Sequence, residues 1–158
     1  MFNIGLLGCG RIGQVHAGSL QRIDNARIAA VADAFPEAAS ALAARTGAAA
    51  MKVDEIIASR DIDAVVIGTP TDTHFDLIDR SAKAGKAIFC EKPVDMSADR
   101  IRELIGVVEA AGVPFLTGFN RRFDAGFASM KARIAAGEVG DVELVTILSR
   151  DPSPPPVS

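Results

Sequence analysis

Tryptophan and tyrosine are absent from this 158-residue sequence, and cysteine and histidine occur only twice each. The two cysteines, Cys9 and Cys90, have no spacing typical of a metal site, so we expect buried free thiols in a reducing cytoplasm. No apolar run reaches the length of a membrane span, and the first residues lack the basic character of a signal peptide. The formal net charge is only −3, which does not favour binding to nucleic acid or to an anionic membrane.

The composition is that of an ordinary globular protein, with 49% hydrophobic and 23% charged residues. Short apolar runs typical of strands alternate with longer runs typical of helices. This alternation predicts a Rossmann-type α/β fold, a doubly wound parallel sheet with right-handed crossovers. The predicted strands are 2–7, 27–32, 48–51, 64–67, 87–90 and 113–117, and the predicted helices begin near residues 11, 36, 54, 74, 97 and 125, with Asp54 as the cap of the third.

A glycine-rich turn joins the first predicted strand to the first predicted helix. Gly8, Gly10 and Gly13 have the spacing G-x-G-x-x-G, which in dinucleotide sites allows a tight turn, a close approach of the pyrophosphate and close packing of helix on strand. Arg11 and Ile12 open a helix whose free N–H groups and positive dipole end would face the phosphates. The pattern predicts a dinucleotide site, and the alternative is a glycine-rich turn without a ligand.

Asp33 follows the second predicted strand, twenty residues after Gly13. Its carboxylate can accept hydrogen bonds from the adenosine ribose hydroxyls, whereas it would repel the 2′-phosphate of NADP. The next residue, Ala34, provides no cation for such a phosphate. We therefore expect NAD rather than NADP. The alternative is that Asp33 is an ordinary carboxylate at a strand end.

Four polar segments follow predicted strands. Ligands of doubly wound folds bind beyond the carboxyl ends of the strands, so these segments together form the candidate site. They are the glycine-rich turn, Thr69–His74, Glu91–Pro93 and Asn120–Asp124.

Lys92 is the strongest candidate for a catalytic group. The residue lies between a predicted strand and Pro93. Its ammonium could hydrogen-bond a hydroxyl or carbonyl and stabilise negative charge on a substrate oxygen. An exposed lysine paired with Glu91 is an equally good interpretation of the residues alone.

The other polar candidates have two interpretations each. His74 begins a predicted helix, where nearby backbone could satisfy its ring, and His16 is better explained by packing or local hydrogen bonding than by acid–base chemistry. Arg121, Arg122 and Asp124 could bind substrate hydroxyls or form an exposed salt-bridge cluster. The sequence therefore offers no clear base for the proton that an alcohol releases on oxidation.

The C-terminal stretch predicts the start of another domain. Val142–Ser149 alternates partly like an antiparallel strand, and the prolines after Asp151 cannot continue it. We expect a dinucleotide-binding domain over 1–120, a connecting helical segment over 121–140, and the first strand of a truncated substrate domain over 141–158.

These motifs together resemble the nucleotide-binding half of the Gfo/Idh/MocA family, the glucose–fructose oxidoreductases and inositol dehydrogenases. The resemblance covers essentially the whole chain, and its most specific element is Glu91-Lys92-Pro93. The stretches 120–124 and 149–152 look most like bacterial myo-inositol 2-dehydrogenases. The segments that carry the resemblance are the glycine-rich turn with Asp33, Gly68-Thr69-Pro70 with His74, Glu91-Lys92-Pro93, and Gly118–Phe123.

The resemblance implies NAD(P)-dependent oxidation of a polyol or sugar hydroxyl to a ketone by hydride transfer. By this resemblance Lys92 would contact the reacting hydroxyl, and Asn120 and Arg122 would bind the substrate. The residues that would contact the cofactor are Gly8, Gly10, Arg11, Ile12, Gly13, Asp33, Thr69, Pro70, His74 and Glu91.

In the family, the catalytic histidine and its neighbouring aspartate belong to a second α/β domain, whose large antiparallel sheet commonly also makes the oligomer contacts. We expect this C-terminal substrate domain to be missing here, so that the chain binds NAD but turns over little or nothing alone. The longer protein would be a cytoplasmic homo-oligomer. The alternatives are a stand-alone NAD-binding sensor or scaffold module, or a dehydrogenase of another sugar or cyclitol, such as scyllo-inositol, glucose or an amino sugar.

Overall fold

The chain divides into two compact units, Met1–Phe119 and Asn120–Ser158. The computed structural model describes residues 1–150. Within this part of the chain, no helix is long and apolar enough to cross a membrane.

The first unit contains a six-stranded sheet in the order β3-β2-β1-β4-β5-β6, and every strand pair in it is parallel. The strands are β1 Phe2–Leu7, β2 Ala26–Ala32, β3 Ala49–Ala50, β4 Ala64–Ile67, β5 Ala87–Cys90 and β6 Phe115–Thr117. The helices of this unit are α1 Arg11–Leu20, α2 Pro36–Thr46, α3 Val53–Ala58, α4 His74–Lys83 and α5 Ala98–Ala111, and a 3-10 turn covers Thr71–Thr73. This architecture confirms the predicted Rossmann-type fold.

The core is formed by apolar side chains on both faces of the sheet. Leu7, Val65 and Ile67 belong to one buried cluster, together with side chains of α4 and α5. Leu6 and Val31 belong to the other, together with side chains of α1 and α2. Strands covered on both faces need continuous apolar runs, which is why β4 has the sequence Ala-Val-Val-Ile.

The start of α3 differs from the prediction. Asp54 does not cap this helix, because the N-cap lies two residues earlier, at Lys52, and Asp54 is the second residue of the helix. The Lys52 N–H donates instead to the side chain of Glu55 over 2.9 Å. A glutamate three residues after the cap can accept the backbone N–H of the cap residue. Asp54 and Glu55 are adjacent acids, and it is Glu55 that has this spacing.

The second unit is described from Asn120 to residue 150. A 3-10 turn covers Asn120–Phe123 and is followed by helix α6, Ala125–Ala135. Residues 142–149 form no strand in the described part of the chain, so the strand predicted over Val142–Ser149 is not formed here. Its assignment to a truncated substrate domain stays a prediction. A strand requires a partner for its N–H and C=O groups, and alternation alone does not supply one. The prolines after Asp151 lie outside the described residues.

Lys86 precedes β5 and is buried, with 6% of its surface exposed. Its ammonium donates to the carbonyl oxygens of Ser59 and Ile62 over 2.5 and 2.7 Å. The charged group therefore ties β5 to the turn between α3 and β4. Buried charges are tolerated only when they are hydrogen-bonded, and here the backbone provides both acceptors.

We expect Lys86→Met to lower the free energy of unfolding by about 2 kcal/mol, because hydrogen bonds to charged groups contribute roughly 1.5–3 kcal/mol and both carbonyls would lose their donor. The matched control is Lys83→Met, since Lys83 is exposed and, within residues 1–150, pairs only with Asp79 on the same helix. Such a surface pair contributes about 0.5 kcal/mol or less. Urea unfolding of the two variants should separate them, and equal midpoints would contradict the role of Lys86.

Candidate functional site

Parallel strands bring the loops that follow them to one edge of the sheet. The glycine-rich turn follows β1, Gly68–Thr73 follows β4, and Glu91–Pro93 follows β5. Since β1, β4 and β5 are consecutive in the sheet, these three loops are neighbours. We call this edge of the sheet the carboxyl edge. The candidate site residues that the sequence indicated in the first unit all lie at this edge or next to it.

Two of the three motif glycines are required by the chain itself. Gly8 has a φ of 96°, and a Cβ on it would lie 2.6 Å from the carbonyl oxygen of Gly68. A Cβ on Gly13 would overlap the carbonyl oxygen of Gly8. These two glycines allow the turn to form and α1 to pack closely against it.

Gly10 is different, because a Cβ on it would meet no protein atom within 4 Å. Its φ is −68°, which other residues adopt readily. Neither backbone conformation nor packing therefore explains glycine at this position. Open space in front of a backbone segment is what a closely approaching ligand requires.

The N-terminus of α1 lies directly after Gly10. The helix begins at Arg11, and no side chain caps it. The backbone N–H groups of its first turn, which include those of Arg11 and Ile12, have no acceptor within the helix. Free N–H groups and the helix dipole together favour an anion such as phosphate at this place.

Asp33 is held at the end of β2 by backbone donors. Its Oδ2 accepts from the Cys9 N–H over 2.6 Å, and its Oδ1 accepts from the Phe35 N–H over 2.9 Å. Each carboxylate oxygen has further lone pairs for other donors. The carboxylate is therefore fixed beside the glycine-rich turn and can still accept hydrogen bonds from hydroxyl groups.

A groove of about 900 Å³ runs along these loops. This is the size of a small-molecule site. Asp33 lies in it, as does Arg80, whose guanidinium is paired with Asp54 and Asp76. These carboxylates raise the pKa of Arg80 above its usual value. The positive charge of Arg80, in the wall of the groove, is therefore neutralised by the two acids that lie beside it. Other lining residues are Gly8, Gly10, Phe35, Val53, Thr69, Pro70 and Leu77.

His74 is buried, with 1% of its surface exposed. Its Nε2 lies 2.9 Å from the carbonyl oxygen of Thr69, and its Nδ1 lies 2.9 Å from that of Pro93. Both ring nitrogens are thus occupied by the backbone of neighbouring loops. The Thr69 hydroxyl contacts that of Thr73 over 2.7 Å, which closes the turn above the ring.

Lys92 is exposed, and among residues 1–150 its ammonium has no ion-pair or hydrogen-bond partner. The expected alternative, a pair between Lys92 and Glu91, is not formed. Glu91 instead lies 2.8 Å from the Nε2 of His16 through its Oε1, and its Oε2 accepts the backbone N–H of Lys92 over 3.2 Å. Lys92 therefore has a free ammonium on a turn that is fixed by its neighbours.

Two of these contacts were not anticipated from the sequence. His16 and Glu91 are separated by 75 positions, and neither has a local pattern that indicates the other. The His16 ring also contacts Phe89 edge to face, with 5.0 Å between ring centroids. Only the adjacency of α1 and β5 in three dimensions brings the pair together.

The candidates of the second unit are arranged locally. Asp124 caps α6 by accepting the N–H groups of Gly126 and Phe127, and within residues 1–150 it forms no salt bridge with Arg121 or Arg122. The Arg121 guanidinium lies 5.7 Å from the ring centroid of Phe127. Asn120 and Arg122 are exposed, and their assignment to substrate binding stays a prediction.

Both cysteines are buried free thiols, as predicted. Burial raises the pKa of Cys9 to about 11, with a smaller contribution from the Asp33 carboxylate. Burial also raises the pKa of Cys90 to about 12, with a smaller contribution from Glu91. Neither thiol forms the reactive thiolate at neutral pH.

Residues 2–119 match the family GFO_IDH_MocA, described as an oxidoreductase family with an NAD-binding Rossmann fold. The match covers the whole of the sheet. It confirms the predicted family and NAD as the cofactor.

The chain is similar to several inositol dehydrogenases. It is 56% identical over 153 residues to an inositol 2-dehydrogenase of Rhizobium meliloti, covering 97% of this chain and 46% of the relative. It is 37% identical over 156 residues to a myo-inositol 2-dehydrogenase of Thermotoga maritima, covering 98% of this chain and 47% of the relative. The chain thus spans about half the length of the curated relatives that it matches.

A solved structure has the same fold. It is a scyllo-inositol dehydrogenase of Lactobacillus casei, crystallised with NAD(H) and scyllo-inositol, and it superimposes with a TM-score of 0.85 at 30% sequence identity. The similarity covers 89% of this chain and 43% of that one.

The glycines give a first test of the site, with folding as the readout. We expect Gly13→Ala to destabilise the chain by about 2 kcal/mol or more, because overpacking typically costs 1–3 kcal/mol and the obstacle here is backbone. Gly10→Ala should leave the free energy of unfolding within about 0.5 kcal/mol of wild type, since the new methyl contacts nothing. Thermal unfolding followed by circular dichroism compares the two. Equal destabilisation would contradict the packing described for the turn.

The thiols give a second test. At pH 8 we expect Ellman's reagent to label neither cysteine rapidly in the native chain, because both pKa values lie well above that pH and both side chains are buried. Unfolding in guanidinium should expose both thiols at once. The variants Cys9→Ser and Cys90→Ser assign the two signals. Rapid native labelling of either residue would contradict its burial.

Proposed function

This chain belongs to the Gfo/Idh/MocA oxidoreductase family through its NAD-binding Rossmann fold, and we propose that it is the NAD-binding part of an inositol dehydrogenase-like enzyme. The proposed reaction oxidises a hydroxyl of a polyol or sugar to a ketone. The observation that carries the assignment of the site is Gly10, whose missing side chain leaves space that no part of the described chain needs.

The residues present fit the cofactor. The pyrophosphate would lie over Gly10 and accept from the free N–H groups at the start of α1. Asp33 would accept from the adenosine ribose hydroxyls through the lone pairs that its two backbone donors leave free. Thr69 and Pro70 line the same groove and would contact the cofactor on the side of β4.

NAD, when bound, accepts a hydride from the carbon that carries the reacting hydroxyl. We assign Lys92 to that hydroxyl. Its free ammonium can donate a hydrogen bond to the oxygen and stabilise the negative charge that develops as the C–H bond breaks. The contacts of Glu91 and Pro93 on either side of Lys92 would hold the backbone from which this donor extends.

The hydroxyl proton needs an acceptor, and the two histidines of the chain are poor candidates for this role. His74 is buried between two carbonyl oxygens, and His16 is engaged with Glu91. We therefore assign the base to residues outside this chain. The isolated chain should bind NAD and show little or no turnover.

The substrate class rests on the relatives, which are named for inositols. We propose a cyclitol or related polyol as the substrate of the longer protein, with Asn120 and Arg122 among its contacts. Two buried free thiols suit a reducing compartment, so we place the protein in the cytoplasm. We further propose that it assembles as a homo-oligomer through its substrate domain.

Calorimetric titration of the 158-residue chain with NADH and with NADPH tests the cofactor site. We expect NADH to bind at least about tenfold more tightly, because the Asp33 carboxylate opposes a 2′-phosphate and like charges in contact cost more than 1.4 kcal/mol. Asp33→Asn removes the charge together with one of the two acceptor oxygens, so it can lower NADH affinity itself by loosening the loop. The readout is therefore the ratio of the NADH and NADPH affinities, which should shift toward NADPH. NADPH binding as tight as NADH binding to the wild-type chain would contradict the role of Asp33.

Gly10→Ala is the sharper variant, because it is expected to fold normally and yet to fill the space of the pyrophosphate. We expect it to weaken NADH binding by about a hundredfold, since a steric clash of this kind costs roughly 3 kcal/mol. The control is Gly18→Ala, on the same helix, where a Cβ also meets nothing within 4 Å. Unchanged NADH affinity in Gly10→Ala would refute the proposed binding mode.

A further inference from the structure

The only two histidines of the sequence contact the residues on either side of Lys92. His16 contacts Glu91, the residue before it, and His74 contacts Pro93, the residue after it. They come from different helices, and neither contacts Lys92 itself through a hydrogen bond. This arrangement leaves the lysine side chain free and fixes the backbone that carries it.

On the first side, the contact runs through the Glu91 carboxylate. Its Oε1 lies 2.8 Å from His16 Nε2, and its Oε2 accepts the Lys92 N–H over 3.2 Å. The two side chains are largely shielded from water, with 19% of His16 and 15% of Glu91 exposed. Gly118 lies against the same carboxylate, where a Cβ would be 3.1 Å from it. The missing side chain of Gly118 thus leaves room for the carboxylate at the place where it contacts His16.

On the second side, the contact runs through backbone carbonyls. His74 Nδ1 lies 2.9 Å from the Pro93 oxygen, and Nε2 lies 2.9 Å from the Thr69 oxygen. A carbonyl only accepts, so an N–H on Nδ1 is needed for a hydrogen bond to Pro93. With that N–H the buried ring, at the start of α4, holds the turn that carries Lys92.

Each histidine lies on a helix that starts at a loop of the proposed NAD site. His16 is on α1, which follows the glycine-rich turn, and His74 is the first residue of α4, which follows Thr69–Thr73. A displacement of either loop would therefore be transmitted to the turn that carries Lys92.

We propose that His16 and His74 are positioning residues that fix the turn of Lys92 against the two loops that bind the cofactor. The proposal rests on the function proposed above, in which those loops bind NAD and Lys92 meets the substrate. Neither histidine transfers a proton in it. Both act by holding Glu91 and Pro93 in place.

Asparagine and glutamine variants test the two contacts separately, because the amide of Asn can replace Nδ1 of histidine and that of Gln can replace Nε2. His16 acts through Nε2, so His16→Gln should keep the contact and His16→Asn should lose it. His74 acts on Pro93 through Nδ1, so His74→Asn should keep this contact and His74→Gln should lose it.

The readout is the NMR order parameter of the Lys92 amide in the 158-residue chain. We expect about 0.85, the value of rigid backbone, in the wild type, His16→Gln and His74→Asn. We expect values below about 0.6 in His16→Asn and His74→Gln. Lys86→Met is the control for loss of stability, since Lys86 lies at the other end of β5, and it should leave the value unchanged.

A rigid Lys92 amide in His16→Asn and His74→Gln would overturn the proposal, as would equal mobility in both members of each pair. If a histidine variant does not fold, the other member of its pair decides through the same order parameter. NADH titration of the wild-type chain separates the two hypotheses. If the wild-type chain does not bind NADH, the proposed function is refuted. If it binds NADH and the Lys92 amide stays rigid in His16→Asn and His74→Gln, only the positioning role is refuted.

Discussion

The close approach of two backbone turns determines the rest of this site. β1 and β4 are neighbours in the sheet, and the turns that follow them meet where a Cβ on Gly8 would lie 2.6 Å from the carbonyl oxygen of Gly68. Gly13 brings the first turn of α1 against the same place. Because no side chain intervenes, the start of α1 faces outward from the carboxyl edge with its N–H groups free. The uncapped N-terminus of α1 and the groove along the carboxyl edge both lie beside this contact.

The sequence was sufficient for features that depend on local chemistry. The start of α2 was predicted near residue 36 and is observed at Pro36, since a proline can open a helix. The spacing of Gly8, Gly10 and Gly13 likewise predicted the turn between β1 and α1 from neighbouring residues alone. The spacing did not reveal that the three positions require glycine for different reasons. Backbone packing requires it at Gly8 and Gly13, but not at Gly10.

Features that depend on distant residues could not be predicted in this way. The pair of His16 and Glu91, and the attachment of Lys86 to Ser59, exist only because the sheet places these residues together. The strand expected over Val142–Ser149 also depends on distant residues, and it is not formed in the described part of the chain. Its alternation was correctly observed, but the ladder that would make it a strand requires another segment, and a single sequence pattern does not show whether one is in place.

Asp33 has a consequence for anyone who wishes to engineer the site toward a phosphorylated ribose. The usual plan is to exchange the acid for a small or basic residue, as though only a charge were involved. Here the same carboxylate also accepts the Cys9 and Phe35 N–H groups, and so joins the glycine-rich turn to the start of α2. A replacement that lacks two acceptors would leave a backbone donor without its partner and loosen the loop that it was meant to redesign. Cofactor choice and loop architecture are therefore one design problem at this position, and they would have to be solved together.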